Sequence, residues 1–473
     1  MPLLVKDDSL LNYLLYMEKV WFMMDWLTSV NNFVWGPCML VLLFGTGLYL
    51  TVGLRFFTIR NFGRGLRHAW AGRFVNSDKG EISPFNALMT ALAADIGTGN
   101  IVGVATAIFI GGPGALFWMW MTALVGMATK FCEILLAVHF REKTPGGNWV
   151  GGAMFFIKNG LGPRWMWLGS AFALFGIVAC IGTGAMVQGN AIGGVLEASF
   201  SVPPFATAAV ILVLSAVVLL GGVKRIAAMA GKVVPLMAFL YVFMAVIVIV
   251  MNIDQVPAVF GMVIRDAFSP AAATGGFAGA TIMMAIRMGM ARGIFSNEAG
   301  LGTAPMAHAA AATNSPLTQA SIGMLDTFID TIIVCSMTAF AILVTGSWTT
   351  GVQGAALTTS AFETALPGFG AMMVAICLSL FAFTTAMSWC VYGERCAIYF
   401  FGDKAQWPFR VVYCIAIPVG ILTQLDLVWL VADTCNALMA IPNLIAILML
   451  SPVIFKLVKD HEASFRAECD KDK

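Results

Sequence analysis

Charge is scarce in this sequence. Only 11% of its 473 residues are Asp, Glu, Lys or Arg, whereas 59% are hydrophobic; soluble domains carry about a quarter charged residues. Water cannot be the main solvent of such a chain. A net charge of +2 and the lack of any long basic run argue against a nucleic-acid partner. His-Glu-x-x-His and a serine elbow are both missing, which removes the usual signatures of a membrane-embedded hydrolase. The ten cysteines are scattered singly through apolar segments with no Cys-x-x-Cys pair, so they read as small packing residues. No cleavable signal peptide is expected, because Lys6, Asp7 and Asp8 precede a stretch, Leu10 to Asn32, that mixes aromatics with Glu18, Lys19 and Asp25. That stretch reads as an interfacial amphipathic helix lying on lipid.

What the chain has is long apolar runs. About 20 residues at 1.5 Å each cross the ~30 Å hydrocarbon core, and eleven segments qualify: 33–54, 84–110, 114–140, 166–195, 205–221, 233–252, 277–311, 320–345, 370–400, 408–424 and 427–457. The 48 glycines suit close helix packing in lipid. With the N-terminus outside and the C-terminus cytoplasmic, 21 of the 27 Lys and Arg fall on the inner side, as the positive-inside rule requires.

Two spans are interrupted by Gly and polar residues, at Asp95-Ile96-Gly97-Thr98-Gly99-Asn100 and at Arg292-Gly293-Ile294-Phe295-Ser296-Asn297-Glu298-Ala299-Gly300. In lipid a helix breaks only where the freed backbone lines a protected cavity. The breaks lie five spans apart and run oppositely across the bilayer, the pattern of an inverted repeat in a secondary transporter. The expected organisation is an interfacial segment at 1–32, an extra span at 33–54, five-helix repeats at 84–252 and 277–457, and a cytoplasmic tail at 458–473. Unwound carbonyls and Asn or Thr oxygens suit Na⁺, and half-helix N-termini attract a carboxylate.

These motifs, with Pro84-Phe85-Asn86-Ala87-Leu88-Met89-Thr90, Gly111-Gly112-Pro113-Gly114-Ala115, Phe117-Trp118-Met119-Trp120, Ala304-Pro305-Met306-Ala307-His308 and Tyr392-Gly393-Glu394-Arg395-Cys396, resemble the alanine or glycine:cation symporter family over about residues 30 to 460. The resemblance implies an all-α polytopic membrane protein of the leucine-transporter type, with a 5+5 inverted repeat and one extra N-terminal helix. It implies Na⁺-coupled symport of alanine or glycine, no cofactor beyond the coupling ion, and membrane lipid as surroundings. Thr98, Gly99, Gln188, Phe295 and Ser296 are then placed beside the substrate, and Asn100, Thr384 and Thr385 with the carbonyls of Ala93 and Ile96 around Na⁺.

Asp95 is the sharpest single residue: a carboxylate at mid-bilayer costs about 2.5–3.5 kcal/mol on insertion scales. It either meets the cargo's ammonium, balances a cation, carries a proton, or pairs with Arg287 or Arg292. Asn100 has the alternative of capping the second half-helix, Gln188 and Asn190 that of interhelical hydrogen bonds, and the Thr pair that of bonding its own helix. Lys130 and Glu133 share a helix face and read as an ion pair, and Arg292 and Glu298 as a possible gate pair; Asp326 and Asp330 repel unless protonated or paired, and His308 reads as structural. Proton coupling, or a glutamine or serine cargo, are the alternatives within the same fold; a channel or receptor would show no ion-driven accumulation.

Overall fold

The computed structural model describes residues 24–73, 80–271, 274, 277–424 and 426–471. Most of the proposed interfacial segment, 1–23, lies outside the described residues; 24–34 is helical and runs toward the first span. The bundle is built from helices that include α1 (Pro37–Gly53), α2 (Pro84–Asp95), α3 (Val104–Gly111), α4 (Ala115–His139), α5 (Met166–Ala179), α6 (Gln188–Phe200), α7 (Pro204–Leu219) and α8 (Gly222–Met251). They continue with α9 (Ile282–Asn297), α10 (Ala304–His308), α11 (Pro316–Thr327), α12 (Ser336–Val344), α13 (Ala355–Ala365), α14 (Gly370–Phe401), α15 (Gln406–Leu422), α16 (Asp426–Met449) and α17 (Ser451–Lys471).

Among the described residues, seven helices are long and apolar enough to cross a membrane, and eight if the bent pair Pro84–Asp95 and Gly99–Gly111 is one span. Two expected spans, 370–400 and 408–424, share the continuous helical stretch Gly370–Leu422, and the expected span 205–221 is the shorter apolar helix α7. Faces turned to lipid are apolar: on α8, Leu236, Phe239, Phe243, Val246 and Val250 are exposed while Val234, Met237, Tyr241 and Val248 are buried. The charged side chains Lys130, Glu133, Asp326 and Asp330 are instead fully buried at the centre, as expected where the outer solvent is hydrocarbon.

Helix starts around the centre follow local chemistry. Ser83 caps α2 by accepting from the Asn86 N–H and Pro84 takes the first helical position; Thr281 caps α9 and Ser315 caps α11 in the same way. Within the spans, wide π turns at Gly99–Gly103, Cys180–Val187 and Phe328–Cys335 border the central site, consistent with the frequent use of such bulges at functional positions.

The first break lies where the sequence places it. Helix α2 ends at Asp95, Ile96 is extended with ψ 91°, and the chain resumes after a 49° bend. The second is shifted: α9 stays helical through Arg292, Phe295, Ser296 and Asn297, and the break occupies Glu298 to Thr303. Glu298, Gly300 and Gly302 there have φ of 53°, 94° and 81°. Left-handed backbone favours glycine, so the helix breaks where those glycines stand, whereas Gly293 serves close packing, its missing Cβ 2.5 Å from Thr122 Oγ1.

Candidate functional site

The two breaks meet. A Cβ on Gly99 would lie 3.2 Å from Ser296 Cα, so glycine lets the first break touch the end of α9. Asn100 Oδ1 accepts from the Gly97 N–H at 2.8 Å, and its amide donates to Asp330 Oδ1 at 2.6 Å. Ser296 Oγ donates to the same Asp330 oxygen at 3.1 Å, and Thr331 Oγ1 to the other at 2.7 Å. Asp330, which the sequence flagged only as a neighbour of Asp326, is therefore the knot joining the first break to the end of α9. Asn100 acts as an intrachain brace at the break, its oxygen already engaged.

Asp95 finds a cation, but neither Arg287 nor Arg292. Lys130 Nζ on α4 sits 2.9 Å from Asp95 Oδ2 and 3.0 Å from Asp326 Oδ2, with all three side chains inaccessible to solvent. The expected Lys130–Glu133 pair is absent; Glu133 Oε1 accepts instead from Asn443 Nδ2 at 2.6 Å. One lysine thus serves two buried carboxylates, and position along α4 decides it: Lys130 faces the break while Glu133 faces α16. The Arg292–Glu298 gate pair does not form either. Glu298 Oε2 accepts from Thr303 Oγ1 at 2.6 Å, and the Arg292 guanidinium lies 5.8 Å from the centre of the Phe295 ring. His308 is fully buried with Nδ1 2.7 Å from the Gln319 amide, a structural setting.

At the first break is a narrow cavity of about 20 Å³, lined by Asp95, Thr98, Gln188, Glu298, Thr385 and Trp389 among others. It has room for about one water molecule. Its wall is rich in acceptors that nothing satisfies: Asp95 Oδ1 and Gln188 Oε1 are buried and receive no hydrogen bond. Gln188 is oriented by its own amide, which donates to the Thr183 carbonyl at 3.2 Å. Asn190, two residues on and on the opposite face of α6, donates to the Gly420 and Thr423 carbonyls and ties α6 to α15. Thr98 and Phe295 line this cavity and also an adjoining vestibule of about 1170 Å³, which includes Arg292, Asn190 and Glu363.

Beside the cavity, Thr385 Oγ1 on α14 lies 3.0 Å from the Ala93 carbonyl and 3.3 Å from that of Ile96. These carbonyls are free because α2 stops, so their helical donors are gone. Gly97 has no Cβ to block the approach: one would stand 2.6 Å from Thr385 Oγ1. Thr384 points elsewhere, back-bonding to the Leu380 and Phe381 carbonyls at 3.0 Å each and touching Met237 Sδ at 3.3 Å. Of the residues singled out in the sequence, Asp95, Thr98, Gly99, Gln188, Phe295 and Thr385 border the cavity, Ala93 and Ile96 reach it through Thr385, and Ser296 and Asn100 stand behind it on Asp330. Glu298 and Trp389 were not foreseen as lining residues. Glu298 lay inside a recognised motif, whereas Trp389 carried no signal, being one aromatic in an apolar helix.

Comparison with known proteins gives the family and the fold. The chain matches the sodium:alanine symporter family over residues 20–473. It is 48% identical to an uncharacterized transporter of Haemophilus influenzae, across 92% of this chain and 95% of that one. It is 44% identical to the sodium/alanine symporter AgcS of Methanococcus maripaludis, across 91% and 95%. The crystal structure of MhsT in complex with L-phenylalanine superposes with a TM-score of 0.55 at 14% identity, covering 80% of this chain and 98% of that one, so the fold is of the leucine-transporter type. A multi-pass membrane protein with this fold and this match over nearly its whole length belongs to the sodium:alanine symporter family.

Proposed function

We propose that this protein is a sodium-coupled symporter of a small neutral amino acid, alanine or glycine, working by alternating access. The observation that carries the reading is the acceptor-rich cavity at the first break: a buried carboxylate oxygen and a buried amide oxygen, neither receiving a hydrogen bond. Leaving such groups unmade costs about 1–3 kcal/mol each, and an α-ammonium brings three donors and a positive charge. Thr385 with the Ala93 and Ile96 carbonyls offers hard, neutral oxygens to Na⁺. At its one-water volume the cavity must widen to admit any amino acid, and the bulky wall of Trp389, Phe295 and Leu301 then leaves room only for a small side chain. The 44% identity to AgcS supports alanine and sodium.

In the orientation taken from the Lys and Arg distribution, the vestibule opens outward and the inner end is closed. There Arg395 Nη2 meets Glu81 Oε1 at 3.2 Å, and Arg410 donates twice to Glu394. The protein then sits in the cell inner membrane with a cytoplasmic C-terminus, carries no cofactor, and catalyses no bond-making. A second reading has one observation in its favour: Asp95, Asp326 and Glu298 crowd one cation, Lys130, an arrangement that a proton would also relieve. Uptake of radiolabelled alanine into proteoliposomes tests both. Sodium-driven accumulation that stops when choline replaces Na⁺ supports the first reading; accumulation driven by a pH gradient alone, indifferent to Na⁺, overturns it in favour of the second.

A further inference from the structure

Away from the transport path, cations gather where α1 ends. On α1, Leu48, Tyr49 and Val52 are exposed, an apolar face for lipid whose tyrosine marks headgroup depth. Past Gly53 the chain turns through Arg55 and Phe56, both at positive φ (52° and 59°), a conformation side chains other than glycine rarely adopt. The turn leaves both side chains on the surface. The short helices Phe57–Arg60 and Phe62–Ala71 then expose Ile59, Leu66 and Trp70 next to Arg60 and Arg67, the mixture of apolar and basic residues typical of an interfacial segment.

Helix α17 packs against this corner. Tyr49 Oη lies 3.1 Å from Ser451 Oγ, and the Phe57 and Phe465 rings contact each other tilted by 45°, with centroids 5.8 Å apart. Gly53 is needed for the approach, since a Cβ there would lie 2.3 Å from Phe455 Cζ. Between the two elements runs a groove of about 360 Å³ with Arg55, Arg60 and Lys459 on its rim and Leu54, Phe455 and Val458 on its floor. None of the three cations makes an ion pair among the described residues; Arg60 donates only to the Arg55 carbonyl, at 3.4 Å. Glu462 also lines the groove, which leaves a local excess of positive charge.

We propose that this groove holds the phosphate of an anionic phospholipid, with the three cations on the headgroup, the apolar floor under its glycerol and ester region, and the acyl chains along the exposed face of α1. A zwitterionic lipid lacks the net charge to match the rim. Free phosphate matches the rim but gains nothing from the floor. Bound lipid would bridge α1, which lies outside the proposed inverted repeat, and α17, which begins at the end of its second half.

The test uses the full-length protein purified in detergent, with phosphatidylglycerol, phosphatidylcholine and inorganic phosphate as separate probes, read by native mass spectrometry and by unfolding temperature. Phosphatidylglycerol should be retained and should raise the unfolding temperature, and phosphatidylcholine should do neither. Arg55→Gln, Arg60→Gln and Lys459→Gln should each weaken retention about fivefold, while Arg164→Gln, an exposed basic site elsewhere, should leave it unchanged. All three groove residues are exposed, so the lipid-free unfolding temperature of each variant should match wild type. Equal retention of the two lipids, undiminished retention by the triple variant, or displacement of lipid by millimolar inorganic phosphate would overturn the proposal.

Discussion

The two helix breaks answer one architectural need with different materials. In the first, side chains do the holding: Asn100 takes the Gly97 N–H, Asp95 is fixed by Lys130, and Thr385 faces the carbonyls that α2 leaves free. In the second, backbone handedness does it, through Glu298, Gly300 and Gly302 at positive φ. A break held by polar side chains can exchange its internal hydrogen bonds for those of a ligand. One held by left-handed glycines is a fixed corner. Polar side chains therefore concentrate at the first, while the end of α9 and the second break supply the cavity wall through Phe295 and Glu298.

That contrast is open to attack by mutation, and the largest effect belongs to Lys130. Lys130→Met leaves Asp95 and Asp326 buried without a cation, and removing one partner of a buried pair costs about 3–5 kcal/mol. The variant should unfold well below wild type or fail to accumulate in the membrane; an unaltered unfolding temperature would mean that both carboxylates are already protonated. Asp95→Asn keeps the shape but lifts the negative charge, and hydrogen bonds to charged groups are worth about 1.5–3 kcal/mol. Half-saturation for alanine should rise roughly ten- to hundredfold at every pH, with expression intact, and near-normal uptake would leave Asp95 as a partner of Lys130 alone.

Next in size is a paired glycine test. Gly300→Ala faces both φ 94° and Leu43 Cδ2 at 2.5 Å, a strain of about 1–3 kcal/mol that should appear as lost thermal stability. Gly97→Ala meets a single hydroxyl, Thr385 Oγ1, and should disturb sodium dependence more than stability. If the two variants lose stability equally, the distinction between an adaptable break and a fixed one fails. Thr385→Ala should raise the Na⁺ concentration for half-maximal uptake about fivefold, the worth of one ordinary hydrogen bond, whereas Thr384→Ala should change it little because that hydroxyl bonds its own helix. Equal shifts would return Thr384 to the ion.

The smallest effect lies away from both breaks, in the 3-10 turn Gly402–Ala405 between α14 and α15. Burial alone would raise the Asp403 carboxyl, but hydrogen bonds from Asn148, Thr144, Gly146 and Gln406 outweigh it and hold the group below the usual carboxylate range. A depressed carboxyl stabilises the fold above its unfolded pKa of about 3.9 and loses that contribution as the pH falls through the folded value. Asp403→Asn should slightly lower the unfolding temperature at neutral pH and flatten its acid limb while leaving transport unchanged. An unchanged acid limb would show that the four hydrogen bonds add nothing.

Much of this was legible in the sequence, and the failures are informative. The first break could be read because Asp, Thr and Asn clustered between glycines in an apolar run have few other uses. The second was misplaced by several residues because Gly293, Gly300 and Gly302 look alike in sequence, while only the latter two take positive φ. Thr384 and Thr385 are adjacent, and a helix turns neighbours about 100° apart; Thr385 faces the Ala93 and Ile96 carbonyls while Thr384 bonds its own helix, and which hydroxyl turns to α2 depends on how α14 is rotated, which sequence does not show. The Lys130–Glu133 expectation rested on spacing along one helix, yet stronger partners waited on two others.

By itself, then, the sequence determined what depends on solvent and on neighbours in the chain. The membrane-spanning class, most of the apolar spans, the site of the first break and the family all follow from local composition and motif. Only the tertiary structure decided the pairings: Lys130 with Asp95, 35 residues away, and with Asp326; Asn100 with Asp330, 230 residues away; and Thr385 with the Ala93 carbonyl, 292 residues away. The reason is physical. A buried charge must be matched wherever the helices bring a partner within about 3 Å, and that is set by the rotation and packing of whole helices, which no single stretch of sequence encodes.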